Sequence, residues 1–200
     1  MAGITAQMVN EFRKRTGLGM MECKALLTEA EGDPKKAETL ARERGLKKAQ
    51  DRAGRATKAG RIEVYLHHDG KSAGVVELNC ETDFVARNDE FRELAKELAL
   101  QVVAGLPQYL RREDVPAEIV AEQRRIFLTQ VADKPPQVQE KIVDGKLNAW
   151  YGETVLLEQN LARDASKAIR ELIASVSART GENISVARFA RYIVGETAEA

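Results

Sequence analysis

The chain has 200 residues, 44% apolar, 31% charged and 5% aromatic, and its 31 lysines and arginines are balanced by 31 aspartates and glutamates. This describes a helix-rich globular chain with enough material for a core, and it supplies no global field that would favour nucleic acid or a membrane. The opening MAGITAQMVNEF holds no apolar run of signal-peptide length and no later run approaches the ~18 residues of a membrane span, so a cytoplasmic location is expected. Cys23 and Cys80 lie far apart without C-x-x-C or histidine spacing, which predicts two reduced, buried thiols and argues against redox or zinc roles.

In chain order, Ile4-Thr5 followed by Met8, Val9 and Phe12 predicts a capped helix stopped at Thr16-Gly17. MMECKALLTEA predicts a second helix ending at Gly32, and Asp33-Pro34 opens a third that is expected to stop at Gly45. Residues 1–53 thus form a three-helix module. The basic run from Arg44 to Arg61 carries a single Asp51 and predicts a partly helical connector, with 54–61 as the linker proper.

Residues 62–200 then form an α+β core. RIEVYLHH, the Asp69-Gly70 turn and GVVELN predict a hairpin. Within it, Gly70-Lys71-Ser72-Ala73-Gly74 matches G-x-S-x-G, but a nucleophile elbow joins a strand to a helix and this stretch joins two strands. The adjacent His67 and His68 point to opposite faces of a strand and cannot form a metal pair. TDFVAR at 82–87 is read as a connector, and Asn88-Asp89-Glu90 starts a helix that ends at Gly105-Leu106-Pro107. Further helices are expected from Pro116, from Pro135-Pro136 through VQEKIVDGKL, and over SKAIRELIASVSARTG. The closing ISVARFARYIVGE is a strand able to pair with the hairpin, giving a small antiparallel sheet of about three strands packed by helices. No phosphate-binding loop, dinucleotide fingerprint or catalytic constellation is present, so no catalytic residue, metal or cofactor is assigned.

The stretches ITAQMVNEFRKRTGLGMMECKALLTEAEGD, TDFVARNDEF, KPPQVQEKIVDGKL, LLEQ and VARFARYIVGE, in this order and over nearly the whole chain, resemble the elongation factor Ts family. The resemblance implies a nucleotide exchange factor without covalent chemistry, acting on elongation factor Tu. It implies that the N-terminal module, similar to ubiquitin-associated domains, docks on the partner's GTPase domain through Arg13, Met20 and Met21. It also implies that the exchange wedge is Thr82, Asp83, Phe84 and Val85, with Phe84 entering an apolar crevice, Asp83 beside the magnesium region, and Thr82 and Val85 setting the turn.

The length resembles the short bacterial form, which implies a homodimer in a two-to-two complex, with the closing strand or hairpin edge as seam. Neither membrane nor direct nucleic-acid contact is expected. Residue type alone leaves other readings open: core packing beneath the hairpin for Phe84, core filling for the two methionines, and a turn cap for Asp83. The other functional class is an RNA- or ribosome-associated adaptor using the basic 44–61 segment.

Overall fold

The computed structural model describes residues 4–196; the first three residues of the predicted N-terminal module and the last four of the predicted core lie outside them. Helix α1 (Ala6–Thr16) is capped by the Thr5 side chain, which accepts from the Met8 amide at 3.2 Å, and it ends at Gly17 with φ 70°. Helix α2 (Met20–Glu29) leads to Asp33, whose carboxylate accepts from the Lys35 and Lys36 amides and starts α3 with proline in its first turn. Val9, Phe12, Cys23, Leu26, Leu27, Ala30 and Ala37 are buried together, the core expected for the bundle.

Helix α3 (Pro34–Arg52) does not stop at Gly45. A glycine costs an interior helix only about 1 kcal/mol relative to alanine, and the lysines, alanine and glutamine that follow are good helix formers. The first half of the basic run is therefore the last turns of a helix, and only residues 53–58 join that helix to β1 (Ala59–Leu66).

Strands β1, β2 (Ser72–Cys80) and β5 (Ser185–Ile193) form the antiparallel three-stranded sheet in that order, so the closing strand does pair with the hairpin. Two helices follow β2: α4 (Asp83–Ala86), which replaces the expected connector, and α5 (Asp89–Ala104). The Asn88 side chain accepts from the Glu90 amide at 2.8 Å where α5 begins. Helices α6 (Ala117–Gln130) and α7 (Pro136–Thr154) pack as a hairpin around Val131, Val143 and Leu147. Arg124 joins them, bonding Asp144 at 2.9 Å and also Glu140.

The expected helix over SKAIRELIASVSARTG begins later than its pattern suggested. Asp164–Ala168 is strand β4, paired with the two-residue β3 (Asn160–Leu161), and α8 covers Ile169–Thr180. The Asp164 carboxylate accepts from the Ser166 amide and hydroxyl, a local alternative to helical bonding that holds this start extended.

The chain divides into two compact units. One comprises residues up to Arg61 with Leu78–Leu94 and Arg170–Ser185; the other comprises Ile62–Glu77, Ala95–Ile169 and the segment from Val186. In the second unit, a Cβ built on Gly74 would lie 2.4 Å from the Ala99 carbonyl oxygen and 3.1 Å from Val102. The glycine of the false G-x-S-x-G pattern thus lets α5 lie against β2. Beside it, Gln101 Nε2 donates to Gln159 Oε1 at 2.9 Å, and Gln159 Nε2 donates to the Gly105 and Glu153 carbonyls. The Gln159 of LLEQ is therefore a satisfied buried amide.

These two glycines have opposite expectations in urea unfolding. Gly45 has a helical environment and open space where a Cβ would sit, so Gly45→Ala should stabilise by about 0.5–1 kcal/mol. Gly74→Val should destabilise by about 1–3 kcal/mol, because a backbone carbonyl occupies the space it needs.

Candidate functional site: a one-turn helix held by a carboxylate strap

Strand β2 ends at Cys80 and the chain turns through Glu81 and Thr82 into α4. Thr82 caps this single turn: its side-chain oxygen faces the Val85 amide at 3.5 Å, and its carbonyl accepts from the Ala86 amide at 3.2 Å. The turn has two faces. Val85 and Ala86 are buried, while Asp83 is exposed and Phe84 is 89% exposed. Core packing beneath the hairpin is thus excluded for Phe84, and the cap is Thr82 rather than Asp83. Leaving phenylalanine in water forgoes about 1.5–3 kcal/mol of burial, so the fold gains nothing from this side chain.

One turn of helix cannot hold itself, because nucleation fixes several dihedrals for each bond gained. Here the support comes from a distant segment of the same unit. Glu182 Oε2 accepts from the Glu81 and Thr82 amides, each at 3.0 Å, and its Oε1 accepts from the Thr82 hydroxyl at 2.6 Å. Glu81 answers in kind: its Oε1 accepts from the Asn183 amide at 2.6 Å and lies 3.4 Å from Arg55. Asn183 Nδ2 donates to the Arg55 carbonyl at 2.9 Å. Two short segments separated by about a hundred residues therefore grip each other's backbone through carboxylates, and charge-assisted bonds of this type are the stronger kind.

Nothing local in the sequence marked Glu182. It follows Gly181, which has φ 78° and ends α8, so the stretch reads only as a helix stop.

Cys80 lies against the same strap. Its thiol donates to the Thr82 carbonyl at 3.2 Å, and burial, reinforced by the Glu182 and Asp83 carboxylates, raises its pKa to about 11 from 9.0. Cys80 and Cys23 are both free and buried, as expected.

The remaining predicted residues lie in the three-helix bundle. Arg13 is exposed in the last turn of α1. Met20 and Met21 open α2 at 52% and 76% exposure, which removes the core-filling reading for both. The cations of the basic run are largely engaged within the chain. Arg44 pairs with Glu29, Lys48 with Glu22 at 2.6 Å and Arg55 with Glu81, while Arg52 donates to the Ser177 carbonyl at 2.9 Å. This weakens the adaptor reading, since phosphate binding depends on cations free to replace counterions.

The family described as Elongation factor TS matches residues 35–196. Among curated relatives, elongation factor Ts of Thermodesulfovibrio yellowstonii is 50% identical over 195 residues, 97% of this chain and 98% of the relative. That of Fervidobacterium nodosum is 49% identical over 195 residues, 96% of this chain and 99% of the relative. That of Geobacter sulfurreducens is 44% identical over 198 residues, 98% of this chain and 92% of the relative. These likenesses define the class as a translation elongation factor. The chain belongs to the elongation factor Ts family.

The Cys80 environment predicts a pH effect. The folded state holds the thiol proton more tightly than the unfolded state, so this contribution to stability is complete below about pH 9 and is lost as pH rises toward 11. Between pH 8 and 10.5 the urea-unfolding free energy of Cys80→Ala should fall by about 2 kcal/mol less than that of the parent, since one pKa unit corresponds to about 1.4 kcal/mol. Equal falls in both proteins would show that the thiol does not contribute.

Proposed function

We propose that this chain promotes release of GDP from elongation factor Tu, with Phe84 as an apolar wedge and Asp83 as its polar neighbour beside the nucleotide and magnesium site. What carries the reading is the side chain of Phe84, almost fully in water on a turn tied down by a residue a hundred positions away in sequence. A preorganised aromatic anchor loses little conformational entropy when it enters a pocket. Its burial is worth about 1.5–3 kcal/mol, and every ~1.4 kcal/mol directed against nucleotide contacts weakens them tenfold.

Arg13, Met20 and Met21 form the first docking surface in this reading, and residues 1–53 act as the docking domain. Flexible thioethers in water suit an adaptable groove on a partner. Coupling between nucleotide and factor is reciprocal: GDP bound to the partner weakens the factor, and the factor weakens GDP by the same ratio. No covalent step is required. The location consistent with this role is the cytoplasm, and no helix among the described residues is long and apolar enough to cross a membrane.

The test is release of fluorescent GDP from elongation factor Tu chased with unlabelled nucleotide. Phe84→Ala should reduce the acceleration by about tenfold or more while the thermal midpoint stays within about a degree, since an exposed side chain contributes little to stability. Unchanged acceleration by Phe84→Ala would remove the wedge; no acceleration by the parent would remove the exchange reading.

A homodimer belongs to the same proposal. Ile62, Val64 and Leu66 alternate along β1, an edge of the sheet, at 63%, 56% and 63% exposure, and Tyr192 of β5 and the following Val194 are exposed as well. An apolar stripe of this kind on a sheet calls for a cover, and a second copy supplies a self-complementary one. Sedimentation at micromolar concentration should give a dimer that Val64→Lys converts to monomer. A strict monomer for the parent would overturn this part.

A further inference from the structure

Glu182 lies outside every motif by which the chain resembles its family, yet its carboxylate takes three hydrogen bonds at the base of α4. Its carbonyl accepts from the Ser177 hydroxyl at 2.5 Å, which pins its own backbone to α8. Its carboxylate then spans the entry to the turn, taking two backbone amides and the hydroxyl of the capping threonine. An ionised carboxylate only accepts, and here three donors converge on its two oxygens. We infer that Glu182 is the positioning residue of the exchange wedge, fixing the start of α4 so that Phe84 is presented in its working direction before the partner arrives.

The inference rests on the reading of Phe84 as the wedge. Both carboxylate oxygens of Glu182 are engaged within the chain, so it acts through Thr82. Without it, the Thr82 hydroxyl and the Glu81 and Thr82 amides lose their acceptor. Four residues of helix then have only the Thr82 cap and the buried Val85 and Ala86 to orient them. Phe84 would still be exposed, but over a spread of directions, and the ordering would be paid at the moment of nucleotide displacement. Initial docking through the bundle would be unaffected.

The experiment titrates each factor against elongation factor Tu loaded with fluorescent GDP, using the parent, Glu182→Ala, Glu182→Gln, Phe84→Ala and the double variant of Glu182→Ala with Phe84→Ala. Glu182→Ala should lower the maximal release rate about tenfold while the half-saturating concentration moves by less than about threefold. Glu182→Gln should retain at least about a third of the parent rate, because its one oxygen can take both amides and its amide group can donate to the Thr82 hydroxyl oxygen. It also keeps the test open if the alanine variant folds poorly.

The double variant should match Phe84→Ala alone, since two residues acting through one side chain are not additive. A merely structural Glu182 would multiply the two losses. Additive losses, or parent-like release by Glu182→Ala while Phe84→Ala is impaired, would overturn the positioning role and leave the wedge standing. A silent Phe84→Ala, or a parent that does not accelerate release, would overturn the wedge reading and this inference with it.

Discussion

A phenylalanine stays in water only where its backbone has no freedom to fold it away. Collapse onto the nearest apolar surface would recover about 1.5–3 kcal/mol, so the turn carrying Phe84 must be held by more than its own propensity. Three kinds of restraint meet there. Val85 and Ala86 anchor the inner face, Thr82 caps the start, and the carboxylates of Glu81 and Glu182 lace that start to the end of α8. Cys80 belongs to the same arrangement: burial, with the Glu182 and Asp83 carboxylates close by, disfavours its thiolate.

The second unit shows the same economy in apolar and amide groups. Gly74 removes a side chain so that α5 can approach β2, and Gln101 and Gln159 bind each other and the carbonyls of Gly105, Glu153 and Asn160. A buried amide pair with its partners in place resists sliding in a way that leucines would not, since any shift leaves donors unpaired. Two stretches that look like signatures of chemistry or recognition, G-x-S-x-G and LLEQ, therefore owe at least these residues to packing.

Most of the elements were legible because their punctuation is local. Thr5, Asp33 and Asn88 sit where a helix needs an acceptor, and Gly17 and Gly70 sit where φ is positive. The exceptions lie where a local rule meets a competing one. Gly45 looked like a stop, but a helical glycine costs less than the surrounding helix formers and tertiary contacts provide. The TDFV stretch looked like a connector because four residues show no period. SKAIREL looked helical from its first residue because the Asp164–Ser166 bonds that delay the helix are side-chain choices, not hydrophobic spacing. At the site, TDFV was visible as a resemblance while Glu182 was invisible: a bond between residues 82 and 182 leaves no trace in the neighbourhood of either.

The continuity of α3 bears on how the two contacts proposed for this chain relate. Its 19 residues span about 28 Å; Ala37 lies in the bundle core near one end, and Arg42 and Arg52 reach Glu171 and Ser177 of α8 farther along. The bundle bearing Arg13, Met20 and Met21 is thus braced by a rod, not hung on a tether, to the helix that Glu182 follows. For a tethered pair, the local concentration of the second contact after the first has formed follows from chain length. For a braced pair it follows from geometry, high for a partner whose two pockets match the rod and vanishing for one whose pockets do not. A connector broken at Gly45 would tolerate many partner shapes; the unbroken helix admits few.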